Sequence, residues 1–214
     1  MASKETASGR QYHKGNVAED LLIAARRILQ TETVEDLSVR RLAREVGMTP
    51  ANFYNHFASL KDLLLELGAE AYRERARTLA HIRRTSKTKA EAIRRSATTY
   101  LELAISNHQL FRIMFGLFPD AQQHESFRVA SDESMSEIVL TVYGENIFDP
   151  SDIYASRQRC KVAYGVLAIG YGLARIIMER AVPFSPERQL EMRGFVEGVI
   201  DALIAGELAR LAAE

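Results

Sequence analysis

The run SVRRLAREVGMTPANFYNHF, residues 38–57, holds two short helices and the turn between them. Ser38 caps a helix whose apolar residues Val39, Leu42, Ala43 and Val46 fall at helical spacing, and Gly47 supplies the left-handed residue that ends it. Met48 is apolar enough to pin the turn to a core. Thr49 is an N-cap, and Pro50 suits the first position of a second helix, where its missing N–H costs nothing. That helix, Pro50 to His56, is about two turns long. Its outward side chains Pro50, Ala51, Asn52, Asn55 and His56 are small or polar, as a surface entering a DNA major groove should be.

The flanks supply a brace and a link. From Asn16 as cap, a helix is expected to about Thr31 with Leu21, Leu22, Ala25, Ile28 and Leu29 on its buried side. Another begins with Ser59 as cap and Asp62 three residues on, and continues through Leu60, Leu63, Leu64 and Leu67. No β pattern competes further on. Helices are expected over 88–107, 108–116, roughly 128–143, roughly Ser151–Arg180 and Pro186–Leu211, with breaks at Pro119–Ser126, GENIFDPSD and AVPFSP. The fold class is all-α: an N-terminal three-helix helix-turn-helix domain followed by a helical bundle. The expected divisions are a flexible arm (1–15, with Arg10, His13 and Lys14 as its cations), a helix-turn-helix domain (16–60), a linking helix (61–85) and a ligand-binding and dimerisation domain (86–214).

Composition bounds the chemistry. The 214 residues are 47% hydrophobic, enough for a substantial core, and lack both a membrane-length apolar run and a signal-peptide pattern, so a cytoplasmic location is expected. Cys160 is the one cysteine and reads as a core residue; it excludes an intrachain disulfide framework. The net charge of zero hides an asymmetry. Residues 1–87 hold 15 Lys and Arg against 11 Asp and Glu, whereas residues 88–214 hold 13 against 17, which puts nucleic-acid binding at the front. The histidines at 13, 56, 81, 108 and 124 are scattered, and no metal-ligand spacing, acid–base pair or phosphate loop is found, so no metal, cofactor or enzymatic activity is expected. A helical-bundle enzyme or metal protein is the competing class.

The stretch LSVRRLAREVGMTPANFYNHFASLKDLL, residues 37–64, resembles the DNA-binding signature of the TetR family of bacterial transcriptional regulators: Ser38, Leu42-Ala43, Gly47, Tyr54, His56-Phe57 and Lys61 occur in order and at the family's spacing. YHKGN at 12–16 is similar to a lead-in found in some members. Thr33 stands where the family usually has glycine. NHQLFRIMFG at 107–116 resembles a segment of a subgroup named for a Trp-His-Gly signature, but LAIGYG occupies the place of that signature and the chain has no tryptophan.

The resemblance implies a homodimeric regulator, in the commonest form a repressor released from a palindromic operator by a small molecule; an activator or corepressor-dependent repressor is the alternative. It also implies that Tyr54, His56, Lys61 and the hydroxyls of Ser38 and Thr49 contact phosphates. Amide chemistry makes Asn52 and Asn55 candidate base readers; Pro50 and Ala51 can pack on thymine methyls, and Arg40 can reach guanine. For Tyr54 a core role is the alternative, and for Arg40 and Arg41 solvation, more so for Arg41. A two-turn reading helix needs a two-fold partner. The closing helices, with Ala163, Gly165, Ala168, Gly170, Gly172 and Ala174 on one and Gly194, Phe195, Gly198, Val199, Ala202 and Gly206 on the other, offer either that dimer seam or an internal core. A ligand pocket is implied among the middle helices. Its candidates are Tyr100, Phe111, Met114, Phe115, Phe118, Met135 and Tyr143, which suit a hydrophobic or aromatic effector or a plain core. His108 and Arg112, one turn apart, can hold a carboxylate or be solvated.

Overall fold

The computed structural model describes residues 16–178, 194–195, 197–203 and 205–206, and every regular element among them is helical. The expectations for the arm (1–15), the AVPFSP connection (181–186) and both ends of the closing helix lie outside the described residues. The chain divides into two compact units, Met1–Leu63 and Leu64–Glu214.

In the first unit α1 spans Val17–Ile28, α2 Val39–Glu45 and α3 Pro50–Phe53. Asn16 starts α1: its side chain accepts the Glu19 N–H at 3.4 Å and donates to the Glu19 carboxylate at 2.7 Å. Leu21, Ala24, Ala25 and Ile28 are buried at helical spacing, together with Leu42, Ala43, Phe53 and Phe57 from the following elements. Gly47, at φ 71°, ends α2 in the left-handed region, where a Cβ is strained. Thr33 sits at φ −87°, a value any residue adopts, so no glycine is needed there. Its N–H and hydroxyl both donate to the Asp36 carboxylate, at 3.2 and 2.6 Å, and these bonds hold the Asp36 carboxyl below its ordinary value.

The reading helix is shorter than its sequence pattern suggests. After Phe53 the chain tightens, with Asn55 N–H bonded to the Asn52 carbonyl and His56 N–H to the Phe53 carbonyl, at 3.2 and 3.0 Å. Burial of both Phe53 and Phe57 turns the chain back into the core before a second full turn forms.

Helix α4, Leu60–Thr85, begins in the first unit and continues into the second. Ser59 caps it, accepting the Asp62 N–H at 3.1 Å and donating to the Asp62 carboxylate at 2.9 Å. The second unit continues with α5 (Lys89–Ser106), α6 (His108–Phe115), α7 (Glu125–Tyr143), α8 (Ile153–Arg159) and α9 (Lys161–Met178). Helix α5 is central and packs on α6, α7 and α9. Its Ile93, Ala97 and Leu101 share a buried cluster with Leu79, Ile138, Val139, Cys160, Ala163 and Val166.

The single helix expected from Ser151 is two. Asp152 caps α8 by accepting the Ala155 N–H at 2.9 Å, so helix begins at Ile153. Buried Ser156 exchanges two 2.8 Å hydrogen bonds with the Asp149 backbone, which ties α8 to the preceding loop. The chain then bends at buried Cys160 (φ −98°, ψ 31°) to lay α9 on α5. Helix α7 starts at Glu125, three residues before the expected start at 128, and ends at left-handed Gly144.

Part of the small-residue stripe of α9 is used inside the subunit. Ala163, Gly170 and Ala174 are buried, whereas Ala168 and Ile176 face outward and a Cβ on Gly172 would meet nothing within 4 Å. A Cβ on Gly170 would stand 2.6 Å from Cδ2 of Tyr100 and 3.2 Å from the Ala97 carbonyl oxygen. Tyr100 is fully buried and cannot yield, so Gly170→Ala must push α9 off α5. Chemical denaturation of that variant should show a loss of about 1–3 kcal/mol, and an unchanged midpoint would mean that the contact is looser than the packing shows.

Candidate nucleic-acid interface and interior cavity

On the first unit, Ser38, Arg40, Thr49, Pro50, Ala51, Asn52, Tyr54, Asn55 and His56 are all exposed, and Lys61 is half-buried in the first turn of α4. Tyr54 is 58% exposed, which removes the core-aromatic alternative; its ring rests edge-on against buried Phe53 at 5.5 Å. Thr49, Ala51, Asn52 and Asn55 share one surface concavity with Gly47 and Met48, while the other candidates stand outside it.

The caps do double duty. Ser38 Oγ accepts the Arg41 N–H and Thr49 Oγ1 the Asn52 N–H, each at 3.3 Å. Only oxygen lone pairs are used, so each hydroxyl hydrogen stays available to a phosphate oxygen. Asn55 Nδ2 donates to Asn52 Oδ1 at 2.8 Å. The linked amides therefore still offer the Nδ2 donor of Asn52 and the Oδ1 acceptor of Asn55, the complement of adenine N7 and N6.

Arginines divide by partner. Arg41, expected to be the more solvated of the pair, is half-buried and forks both terminal nitrogens onto Glu32, because α2 packs it towards the end of α1. Arg27 pairs with Glu45. Arg40 and Arg44 are exposed, one turn apart, and neither has a carboxylate partner among the described residues. Arg44 is a cation the sequence reading passed over, although its spacing from Arg40 places both on one helix face.

The second unit holds a half-open cavity of about 430 Å³, within the range that holds small ligands. Of the seven pocket candidates, Tyr100, Phe115 and Met135 line it. Phe111 and Met114 are buried beside it, Phe111 lining a smaller hollow of about 180 Å³ with Arg112, Phe115 and Arg175. Tyr143 instead accepts the Val162 N–H at 3.1 Å, and Phe118 is half-buried outside both linings. His108 is exposed; partial burial and the cations Arg112 and Arg175 lower its imidazole below the usual range, which works against a charged carboxylate partner there.

The cavity wall also carries a charge that sequence reading missed, Arg75 of α4, with Ser134 and the Arg128–Asp132 pair. In the sequence RERARTLAHIRR Arg75 is one cation among several, and nothing local marks it as the one turned inward.

Comparison with known proteins follows this division. Residues 21–67 match the family described as bacterial regulatory proteins, tetR family. A Haemophilus influenzae protein described as an uncharacterized HTH-type transcriptional regulator is 28% identical over 134 residues, which cover 62% of this chain and 64% of that protein. The chain thus spans just under two thirds of that relative's length. Among solved structures, a Rhodococcus protein of unknown function superposes with a TM-score of 0.70 at 21% identity, covering 92% of this chain and 98% of the other. The fatty acid degradation regulator FadR from Bacillus halodurans superposes with a TM-score of 0.62 at 11% identity, covering 89% and 96%. Likeness at these identities is a likeness of fold.

Proposed function

We propose that this chain, a member of the tetR family of bacterial regulators, is a homodimeric repressor that reads a palindromic operator and is released from it by a small, largely apolar effector. The observation that carries the DNA-reading half is the sidedness of residues 49–57. Phe53 and Phe57 are buried, and Asn52, Tyr54, Asn55 and His56 between and beside them are exposed. An isolated core helix has no reason to present two amides and a tyrosine to solvent at that spacing.

Clamps and readers then divide. Tyr54, His56, Lys61, Ser38 and Thr49 hold phosphates, while Asn52 and Asn55, flanked by Pro50, Ala51 and Arg40, address base edges. Anisotropy titrations of a selected operator and a scrambled duplex across salt concentrations test this. Lys61→Ala should weaken both duplexes alike and reduce the salt slope by about one, and Asn52→Ala should cost about 1–3 kcal/mol on the operator alone. Equal losses on both duplexes for both variants would refute the division.

Two-fold pairing is supported by apolar faces directed away from the subunit core. Ala168, Gly172 and Ile176 form one on α9; Phe195, Gly198 and Ala202 form the other. The 430 Å³ cavity supports an effector site. Helix α4 carries Lys61 in its first turn and Arg75 in the cavity wall, so the effector touches an element that also belongs to the DNA-binding unit. It shifts the dimer away from DNA only by its preference for the released conformation.

A further inference from the structure

We propose that the effector is an amphipathic carboxylic acid, its carboxylate forked on Arg75 and its apolar body lying along Phe115, Met135, Ile138 and Leu167. The proposal rests on the reading of the second unit as an effector-binding domain and names the chemical class that the site takes.

Arg75 is 8% exposed, and a buried guanidinium needs acceptors for its N–H groups. It has one: Nη1 donates to Ser134 Oγ at 2.6 Å. Its face lies over the Tyr100 ring, with Cζ 4.1 Å from the centroid, which stabilises the charge but takes no in-plane hydrogen. Nε and Nη2 find no acceptor among the described residues. These two nitrogens share one edge of the guanidinium, and that edge matches both oxygens of a carboxylate. The Tyr100 hydroxyl, on a side chain only 1% exposed, is likewise without a partner among the described residues and supplies a further donor in the same wall.

The rest of the lining fixes the sign and the shape. Its one carboxylate, Asp132, pairs with Arg128 at 3.4 Å, so no acid of the wall serves Arg75. A neutral aromatic ligand would fill the apolar part and leave the fork unpaired. A phosphate dianion would call for a second cation at the same edge, and Arg75 is the one guanidinium of the lining whose Nε and Nη2 are both buried without an acceptor among the described residues. A monoanion with a flat two-oxygen head and a hydrocarbon body satisfies both parts of the cavity.

The test is calorimetry of the full chain, without DNA, against octanoate, decanoate and phenylbutyrate, each compared with its primary amide. At least one acid should bind about tenfold or more tightly than its amide, and Arg75→Gln should abolish that preference. A merely structural Arg75 would lower thermal stability without moving the acid-to-amide ratio. Tyr100→Phe keeps the buried ring and should weaken the acid roughly threefold to tenfold; it decides the matter if Arg75→Gln does not fold. Equal binding of acids and amides, no binding by any acid, or an unchanged preference in the variants would overturn the proposal. Because DNA is absent, such a result leaves operator recognition standing, whereas a protein that binds the acid but no DNA would instead contradict the regulator reading.

Discussion

Arginine in place of Ala202 should break the proposed two-fold pairing and leave a folded monomer that has lost at least about a hundredfold in operator affinity. Ala202 is exposed, as are Gly198 one turn before it and Phe195 beyond that, the latter at 54%. The opposite side of the same helix is committed within the subunit: Ile200 is fully buried, Leu203 packs on the core, and Asp201 accepts from Arg94 Nε at 2.5 Å. A long cation at 202 therefore leaves those contacts in place, yet it puts an unpaired charge into any apolar seam formed with a second copy. A single reading helix of one turn engages one half-site. Losing the second forfeits the avidity of linked sites, a factor of about 10²–10⁴. Sedimentation together with operator titration checks this; a variant that stays dimeric with full affinity would place the seam elsewhere.

Phe53→Ala should abolish DNA binding by unfolding the reading unit. Phe53 is fully buried, its ring 5.8 Å from that of Phe57 and 5.5 Å from that of Tyr54. Emptying such a site costs about 3–5 kcal/mol, a large part of the roughly 5–15 kcal/mol that holds a whole domain together. Neighbouring Tyr54 is the internal control, since its exposed ring can be removed within about 0.5 kcal/mol. Both variants should lose DNA binding, Phe53→Ala with loss of helix and Tyr54→Ala without it. Comparable stability in the two would mean that Phe53 does not organise the unit.

How much of this was legible in the sequence depended on whether the signal is local. Caps at Asn16, Ser38, Thr49 and Ser59, the left-handed Gly47 and the Leu21–Ile28 periodicity act within a few residues, and the described structure places each where its chemistry suggests. The length of α3 and the bend at Cys160 were not legible, because tertiary anchors set them: Phe57 in one case, the Ser156–Asp149 bonds in the other. The same distinction governs the sites. Exposure of Asn52 and Asn55 follows from a short pattern, but their mutual hydrogen bond depends on the turn after Phe53. Met and aromatic positions pointed to the middle helices, and Tyr100, Phe115 and Met135 do line the cavity. Its buried guanidinium, Arg75, came from α4 instead. Arg75 is distinguished from Arg73 and Arg77 by the helices packed around it, which leave no mark on the residues beside it.

The most direct test of a dimeric DNA reader is selection of bound fragments from genomic DNA by the purified full chain at moderate salt. The enriched sequences should share an inverted repeat whose half-sites are centred about one helical turn of DNA, or a multiple of it, apart. A folded, dimeric protein that enriches no sequence, and that mass spectrometry after denaturation shows to carry no bound small molecule, would contradict it.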